Sequence, residues 1–265
     1  MHLETAKSEE NLSASQNKAR SEPEELRRNL RSILLIVFAV IWTAIGAVCA
    51  LISLIFDPSA TAFHSVVVRC WARVLLRVSG VHVEVEGLQN FDPARSYVFM
   101  SNHQSHYDAV VVAGFLPAQV RFIAKKELYR IPLFGWALKK GGHIRIDRDD
   151  RAQAFASYDR AAEKIREGAS IFVCAEGTRS ADGIVGPFKK GGFVLAIKSG
   201  APIVPITMTG GRKILPKQKL VFHKGVMKMV IDRPIDTGSY TLENKDELIS
   251  RVRGVIIGNL AENEV

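Results

Sequence analysis

Residues 97–116 read YVFMSNHQSHYDAVVVAGFL. An apolar run of strand length, Tyr97 to Met100, is followed by the polar stretch Asn102 to Asp108 and then by a second apolar run from Ala109, which predicts a strand, a turn and a helix starting near Ser105. The same grammar recurs along the chain. Strand-like runs lie at 82–86, 96–100, 120–124, 143–146, 171–175, 203–208 and 226–231. Helical patterns lie between them. The clearest is 151–167, opened by Asp149 or Asp150 as cap and closed by Gly168; others start near Pro132 and Phe188, and a last one covers 242–260. Strands alternating with helices predict an α/β domain over residues 80–265, a mixed, mostly parallel sheet flanked by helices with site loops at the strand C-termini.

The chain before this domain has a different character. Residues 1–32 are polar, balanced in charge and without apolar period, so they are expected to be a disordered tail. Residues 33–56, ILLIVFAVIWTAIGAVCALISLIF, contain no charge and as a helix would be about 36 Å long, enough to cross a bilayer. A cleaved signal peptide would be shorter and closer to residue 1, so this segment is expected to remain in the protein. Arg27, Arg28 and Arg31 precede it and Arg69, Arg73 and Arg77 follow it, so both flanks carry the cytoplasmic mark. Either the chain bends near Asp57-Pro58 and returns within one leaflet, or it spans once and a surface helix follows. Residues 33–79 thus form a membrane-embedded helical segment, with the three arginines of the stretch 61–78 expected to meet an anionic leaflet.

Composition agrees with this division. The 265 residues are 47% hydrophobic and 24% charged, which supports a packed α/β core and excludes a wholly disordered chain. A net charge of +9 calls for an anionic partner: nucleic acid, lipid headgroups or a phosphorylated substrate. No nucleic-acid motif accompanies it, and a membrane segment does. Three scattered cysteines, Cys49, Cys70 and Cys174, fit neither a disulfide framework nor a zinc knuckle, and suit a reducing compartment.

Four runs carry chemistry. His103 stands five residues before Asp108 across the strand-to-helix turn, where a carboxylate can hold Nδ1–H and leave Nε2 as a general base. No GxSxG elbow supplies a nucleophile, so the dyad suits direct deprotonation of a substrate hydroxyl. A His103/His106 metal pair is the competing reading and lacks further ligands at suitable spacing. Glu176-Gly177-Thr178-Arg179-Ser180 follows another apolar strand; Gly177 permits a tight turn, and the Arg179 fork matches a phosphate. Lys125 and Lys126 follow a third strand and either complete an anionic pocket or form a solvated face. Pro205, inside the run APIVPI, marks an edge or bulge where backbone meets ligand, or simply a strand limit.

Together, in this order, the runs resemble the blocks of the 1-acylglycerol-3-phosphate acyltransferase family. NHxxxxD is matched by Asn102, His103 and Asp108; the second block by Lys125, Lys126, Glu127, Leu128, Pro132, Phe134, Gly135 and Trp136, continuing into Ile146, Asp147 and Arg148. EGTRS is matched at Glu176 to Ser180, with Phe188 to Gly191 in register, and the last block by Val204, Pro205 and Ile206. One departure is Cys174-Ala175, where the family usually has proline before the glutamate. The resemblance covers roughly residues 80–235. It implies the glycerolipid acyltransferase fold and transfer of an acyl chain from acyl-CoA or acyl-carrier protein, as co-substrate without other cofactor or metal, to the sn-2 hydroxyl of a lysophospholipid acceptor, 1-acyl-sn-glycerol 3-phosphate. His103 and Asp108 would be catalytic. Glu176, Gly177, Thr178, Arg179, Lys125 and Pro205 would bind substrate, and backbone amides after His103 or in the Gly177 turn would face the oxyanion. The domain would sit on the cytoplasmic face of the membrane. Alternatives are another lysolipid or glycerol 3-phosphate as acceptor, or a non-catalytic membrane-tethered lipid-binding protein.

Overall fold

A computed structural model describes residues 2–57, 59–147, 149–180, 182–217 and 221–263; Pro58 of the expected bend and Arg148 of the second block lie outside the described residues. In chain order the strands are β1 (Val81–Glu86), β2 (Val98–Ser101), β3 (Val120–Lys125), β4 (Ile144–Ile146), β5 (Ser170–Cys174), β6 (Ile203–Thr209) and β7 (Gly225–Ile231). They form one sheet in the order β1-β7-β6-β2-β5-β3-β4, parallel throughout except for β6 against β7. This is the expected mixed, mostly parallel sheet.

The helices are α1 (His2–Phe56), α2 (Val68–Ser79), α3 (Tyr107–Phe115), α4 (Phe134–Lys140), α5 (Arg151–Arg166), α6 (Lys190–Ser199), α7 (Gly211–Ile214) and α8 (Lys245–Asn263). Asp150 caps α5, its side chain accepting from Gln153 N at 3.0 Å. On one face of the sheet Val98, Met100, Ile171, Val173 and Ile203 pack with Phe193, Leu195, Leu248 and Val252. On the other, Phe99, Phe172, Val204 and Ile206 pack with Leu76, Val111 and Val112. The inner strands are covered on both faces, which is why they read as unbroken apolar runs. Because β2, β3 and β5 run parallel, the segments leaving their C-terminal ends emerge along one edge. The polar turn, Lys125 and the EGTRS run are those segments.

Pro205 sits inside this sheet. It pairs in register with Met100 on β2 and is buried, and its carbonyl accepts from Asp232 N at 3.0 Å just where β7 ends. A proline N–H is not needed where the antiparallel ladder stops. Pro205 thus lies within β6, just before its antiparallel pairing with β7 begins at Ile206, and not at the end of the strand.

Two further expectations change at the N-terminal segment. The polar tail joins the helix, which starts at His2 and runs without interruption into the apolar stretch. Its final residues are tied to the α/β domain: Arg31 donates to Ser79 O at 2.8 Å and Phe222 O at 3.1 Å, and Ser32 Oγ accepts from Phe222 N at 3.1 Å. The guanidinium finds carbonyls that otherwise lack partners, which orders the stretch. Farther along α1, Trp42 Nε1 donates to Trp71 O at 3.0 Å and Trp71 Nε1 donates to Thr43 Oγ1 at 3.2 Å. Ala47 and Ala50 then pack with Phe63 and Ala137. After Phe56 the chain turns, Asp57 accepting from Ala62 N at 2.6 Å and Ser59 N at 3.1 Å, and a π-helical turn, Phe63–Val67, leads into α2.

The second change concerns the arginines of α2. Arg73 Nε donates to Gly114 O at 2.9 Å and its guanidinium lies 5.2 Å from the Phe115 ring centroid; Arg69 donates to Leu116 O at 3.3 Å. These carbonyls lie at the C-terminal end of α3, where cations are favoured, and the Leu116 carbonyl also accepts from Ala118 N at 2.9 Å. Arg69 and Arg73 thus cap α3, Arg69 half-buried and Arg73 exposed at its edge, while Arg77 is exposed as well.

At Gly46 α1 passes close to α2, where an added Cβ would fall 2.9 Å from Trp71 Cδ1. Gly46→Leu should push the helices apart at a cost of about 1–3 kcal/mol. Thermal unfolding in detergent, with limited proteolysis of the 57–62 turn, measures this; an unchanged midpoint and unchanged cleavage would refute the packing.

Candidate active site

The polar turn places His103 at the β2 end, half-buried, and Asp108 fully buried in the first turn of α3. His103 Nδ1 donates to Asp108 Oδ2 at 2.8 Å, which leaves Nε2 outside that bond, with the Cys174 side chain also beside the ring. The same Oδ2 accepts from Gln104 N at 2.8 Å and Ser105 N at 2.9 Å, so the carboxylate is fixed by the turn that carries the histidine. Asn102 is buried beneath the turn and bonds Met208 through both halves of its amide, donating to O at 2.9 Å and accepting from N at 2.8 Å. That ties the end of β2 to β6.

The EGTRS loop is stitched to this turn through the backbone of His103. Its N–H donates to Glu176 Oε1 at 2.7 Å, and its carbonyl accepts from Ser180 N at 2.9 Å. The other Glu176 oxygen accepts from Gly186 N at 2.9 Å. Glu176 is buried, each of its oxygens accepting from a backbone amide, so it ties the two loops together. The amides expected to face an oxyanion are also engaged: Gln104 and Ser105 with Asp108, and Gly177 N, at φ +73°, with Cys174 O at 3.0 Å.

The cationic groups converge from the two neighbouring strand ends. Arg179 is half-buried, Thr178 and Lys125 are exposed, and the Arg179 carbonyl accepts from Lys217 Nζ at 2.8 Å. His106, just before α3, records their presence: burial and the charges of Arg179 and His103, with a contribution from Lys125, hold it below its ordinary value. Lys126 points elsewhere, donating to both oxygens of Asp147 at 2.8 and 2.9 Å. Of the lysine pair, Lys125 is the one whose charge reaches His106.

Burial opposes charge on His103, but its hydrogen bond to Asp108 and the Cys174 side chain beside the ring outweigh it and push the imidazole up to about 10. Cys174 pairs in register with Ser101, two residues before His103. Sequence reasoning noted Cys174 only as a departure from the family pattern and His106 only as a metal alternative; their place beside His103 follows from the pairing of β2 with β5, which motif spacing does not encode. Among the described residues no three His, Cys, Asp or Glu side chains gather as metal ligands. The arrangement offers an oriented imidazole next to a cationic recess open at the sheet edge, which is chemistry for removing a proton from a hydroxyl on an anionic molecule.

Comparison with known proteins agrees. The family model described as Acyltransferase matches residues 82–209. A chloroplastic 1-acyl-sn-glycerol-3-phosphate acyltransferase of Arabidopsis thaliana is 35% identical over 221 residues, 81% of this chain and 62% of that protein. A 1-acyl-sn-glycerol-3-phosphate acyltransferase of Limnanthes douglasii is 32% identical over 194 residues, 72% of this chain and 68% of that one. The chain thus spans about two thirds of the length of these plant relatives. The crystal structure of the 1-acyl-sn-glycerophosphate acyltransferase PlsC from Thermotoga maritima superposes with a TM-score of 0.81 at 27% identity, covering 91% of this chain and 98% of that one. With the dyad, the EGTRS loop and the strand order all in place, this chain belongs to the 1-acylglycerol-3-phosphate acyltransferase family.

Proposed function

We propose that this chain transfers an acyl group from a thioester donor, acyl-CoA or acyl-carrier protein, to the sn-2 hydroxyl of 1-acyl-sn-glycerol 3-phosphate, forming phosphatidic acid. The observation that carries the reading is the 2.8 Å bond between His103 Nδ1 and Asp108 Oδ2 beside Arg179 and Lys125. His103 Nε2 takes the hydroxyl proton as the oxygen attacks the thioester carbonyl; the C–S bond breaks, and the thiol leaves with a proton. Arg179 and Lys125 hold the acceptor phosphate, Arg179 through two parallel N–H donors. Glu176 is a positioning residue that fixes the His103 backbone.

The same reading places the chain on a membrane. Leu26–Phe56 is long and apolar enough to cross a bilayer, yet its Arg31 end and its Ala47–Ala50 region both lie against the α/β domain. That supports the bent, one-leaflet insertion over a span, with the outer apolar face of α1 in the lipid and the domain on the cytoplasmic face, where thioester donors are found.

Three outcomes test this. In acyl transfer from acyl-CoA to the lysolipid, kcat/KM should rise with pH from about 7 towards about 10 as His103 loses its proton. Asp108→Asn removes the negative charge that favours the imidazolium, so the rising limb should move to lower pH while the maximal rate falls by about 10²-fold or more. A limb that stays in place would reject Asp108 as the group that sets the base.

Arg179→Lys keeps the charge and loses the fork; KM for the acceptor should rise with little change in KM for the donor. A change confined to the donor would move Arg179 to the thioester side.

Glu176→Gln places an amide N–H₂ against one of two backbone N–H groups and should lower kcat more than it alters either KM. An increase in acceptor KM alone would return Glu176 to the phosphate.

A further inference from the structure

Between the end of β3 and β4 the chain forms a lip, residues 126–140, whose shape is fixed from three sides. At its base Lys126 is paired with Asp147. At its tip Leu133 has φ +60° and ψ −56°, and Phe134 N donates to Pro132 O at 2.6 Å, a γ-turn that a residue with a side chain rarely adopts. Gly135 then passes so close to Tyr129 that a Cβ would lie 2.3 Å from its carbonyl oxygen. On the inner side Ala137 and Leu133 pack against Ala47 and Ala50 of α1. The lip is thus wedged between the apolar helix and Lys125, the last residue of β3 and a member of the cationic recess.

With its small residues turned to α1, the lip leaves its large apolar ones uncovered. Trp136 is 66% exposed, Ile131 46% and Leu128 38%. Nothing in the packing of the α/β core requires them there. The neighbouring face of α1 is uncovered as well, with Ile45, Val48, Ile52 and Ile55 all exposed. Lys139 and Lys140 close α4 at the far end of the lip and are exposed. A tryptophan and aliphatic side chains followed by flexible lysines is the composition that sits at the boundary of lipid headgroups and acyl chains.

We propose that this lip is a second membrane contact, separate from α1, which enters the lipid surface through Leu128, Ile131 and Trp136 with Lys139 and Lys140 at the headgroups. The occupant is a bilayer leaflet, because the patch adjoins α1's own uncovered face and carries the cations that an anionic surface attracts. The proposal rests on the membrane reading above. It goes beyond that reading by bringing the leaflet to the segment that follows Lys125, next to the recess.

The test uses the full chain with vesicles of phosphatidylglycerol and a phosphatidylcholine brominated on the upper part of its acyl chains, where bromine quenches nearby indole emission. The chain has three tryptophans, and Trp136→Phe is a conservative change at an exposed position, so it isolates one of them. Bromine-sensitive emission should drop in Trp136→Phe relative to the parent, while both proteins pellet with the vesicles. Equal bromine-sensitive emission in the two would overturn the lip as a contact and leave the anchoring by α1 standing. A chain that stays in the supernatant would overturn the membrane reading, and the lip with it.

Discussion

Everything at the candidate site hangs on the main chain of one residue. The His103 N–H is held by the Glu176 carboxylate, its carbonyl by Ser180 N–H, and its ring by Asp108. The distant EGTRS loop holds the backbone of His103 at both ends while the local Asp108 holds its ring, so the residue cannot shift without breaking bonds to both. The constraint begins below, where Asn102 bonds both backbone groups of Met208 and sets the level at which β2 ends. A base that must meet a hydroxyl within hydrogen-bond reach gains from such fixation, since misplacement by about 1 Å costs around 10²-fold in rate.

How far sequence reached depended on the range of the interaction. Strands, the Asp150 cap and the His103–Asp108 pair rest on neighbours within a few residues, and each is legible as pattern. Glu176 is different. Its partners are 73 residues back and 10 ahead, and a glutamate beside an arginine in a strand-end loop reads equally as ligand contact or as brace. Arg69 and Arg73 show the same limit: an amphipathic stripe of arginines says that a cation-seeking surface lies opposite, without saying that it is the carbonyl end of α3. Pro205 was read as an edge because proline cannot donate to a ladder; the rule held, but the place where it applied was the top of β7 and not a rim. The tail failed for a related reason, since Arg31 and Ser32 acquire order from Ser79 and Phe222, residues that no local window contains.

The electrostatics of the recess follow from that geometry. Asp108 raises the imidazole of His103 while Arg179 and Lys125 hold His106 down, so adjacent histidines of one turn are driven in opposite directions. The difference separates their roles. His103 is the group whose protonation is coupled to a buried carboxylate, whereas burial and the charges of Arg179 and His103 disfavour a proton on His106. An anion entering there meets the guanidinium and the ammonium first, and the proton on His103 must depart before the ring can accept another.

The position of α1 ties this chemistry to a surface. From Arg31 to Phe56 the helix rises about 38 Å, comparable with the full hydrocarbon thickness of a bilayer. A helix of that length standing across the membrane would carry one end to the far side, out of reach of a domain that stays on the near side. Yet Arg31 touches Ser79 and Phe222, Trp42 and Thr43 touch Trp71, and Ala47 and Ala50 touch Phe63 and Ala137. Contacts spread along the whole rise require the helix axis to run beside the domain. A helix held this way has one face packed on protein and the opposite face, from Leu30 to Phe56, exposed and apolar. In the proposed one-leaflet insertion that second face is the one turned to lipid, while the first keeps its contacts with the domain.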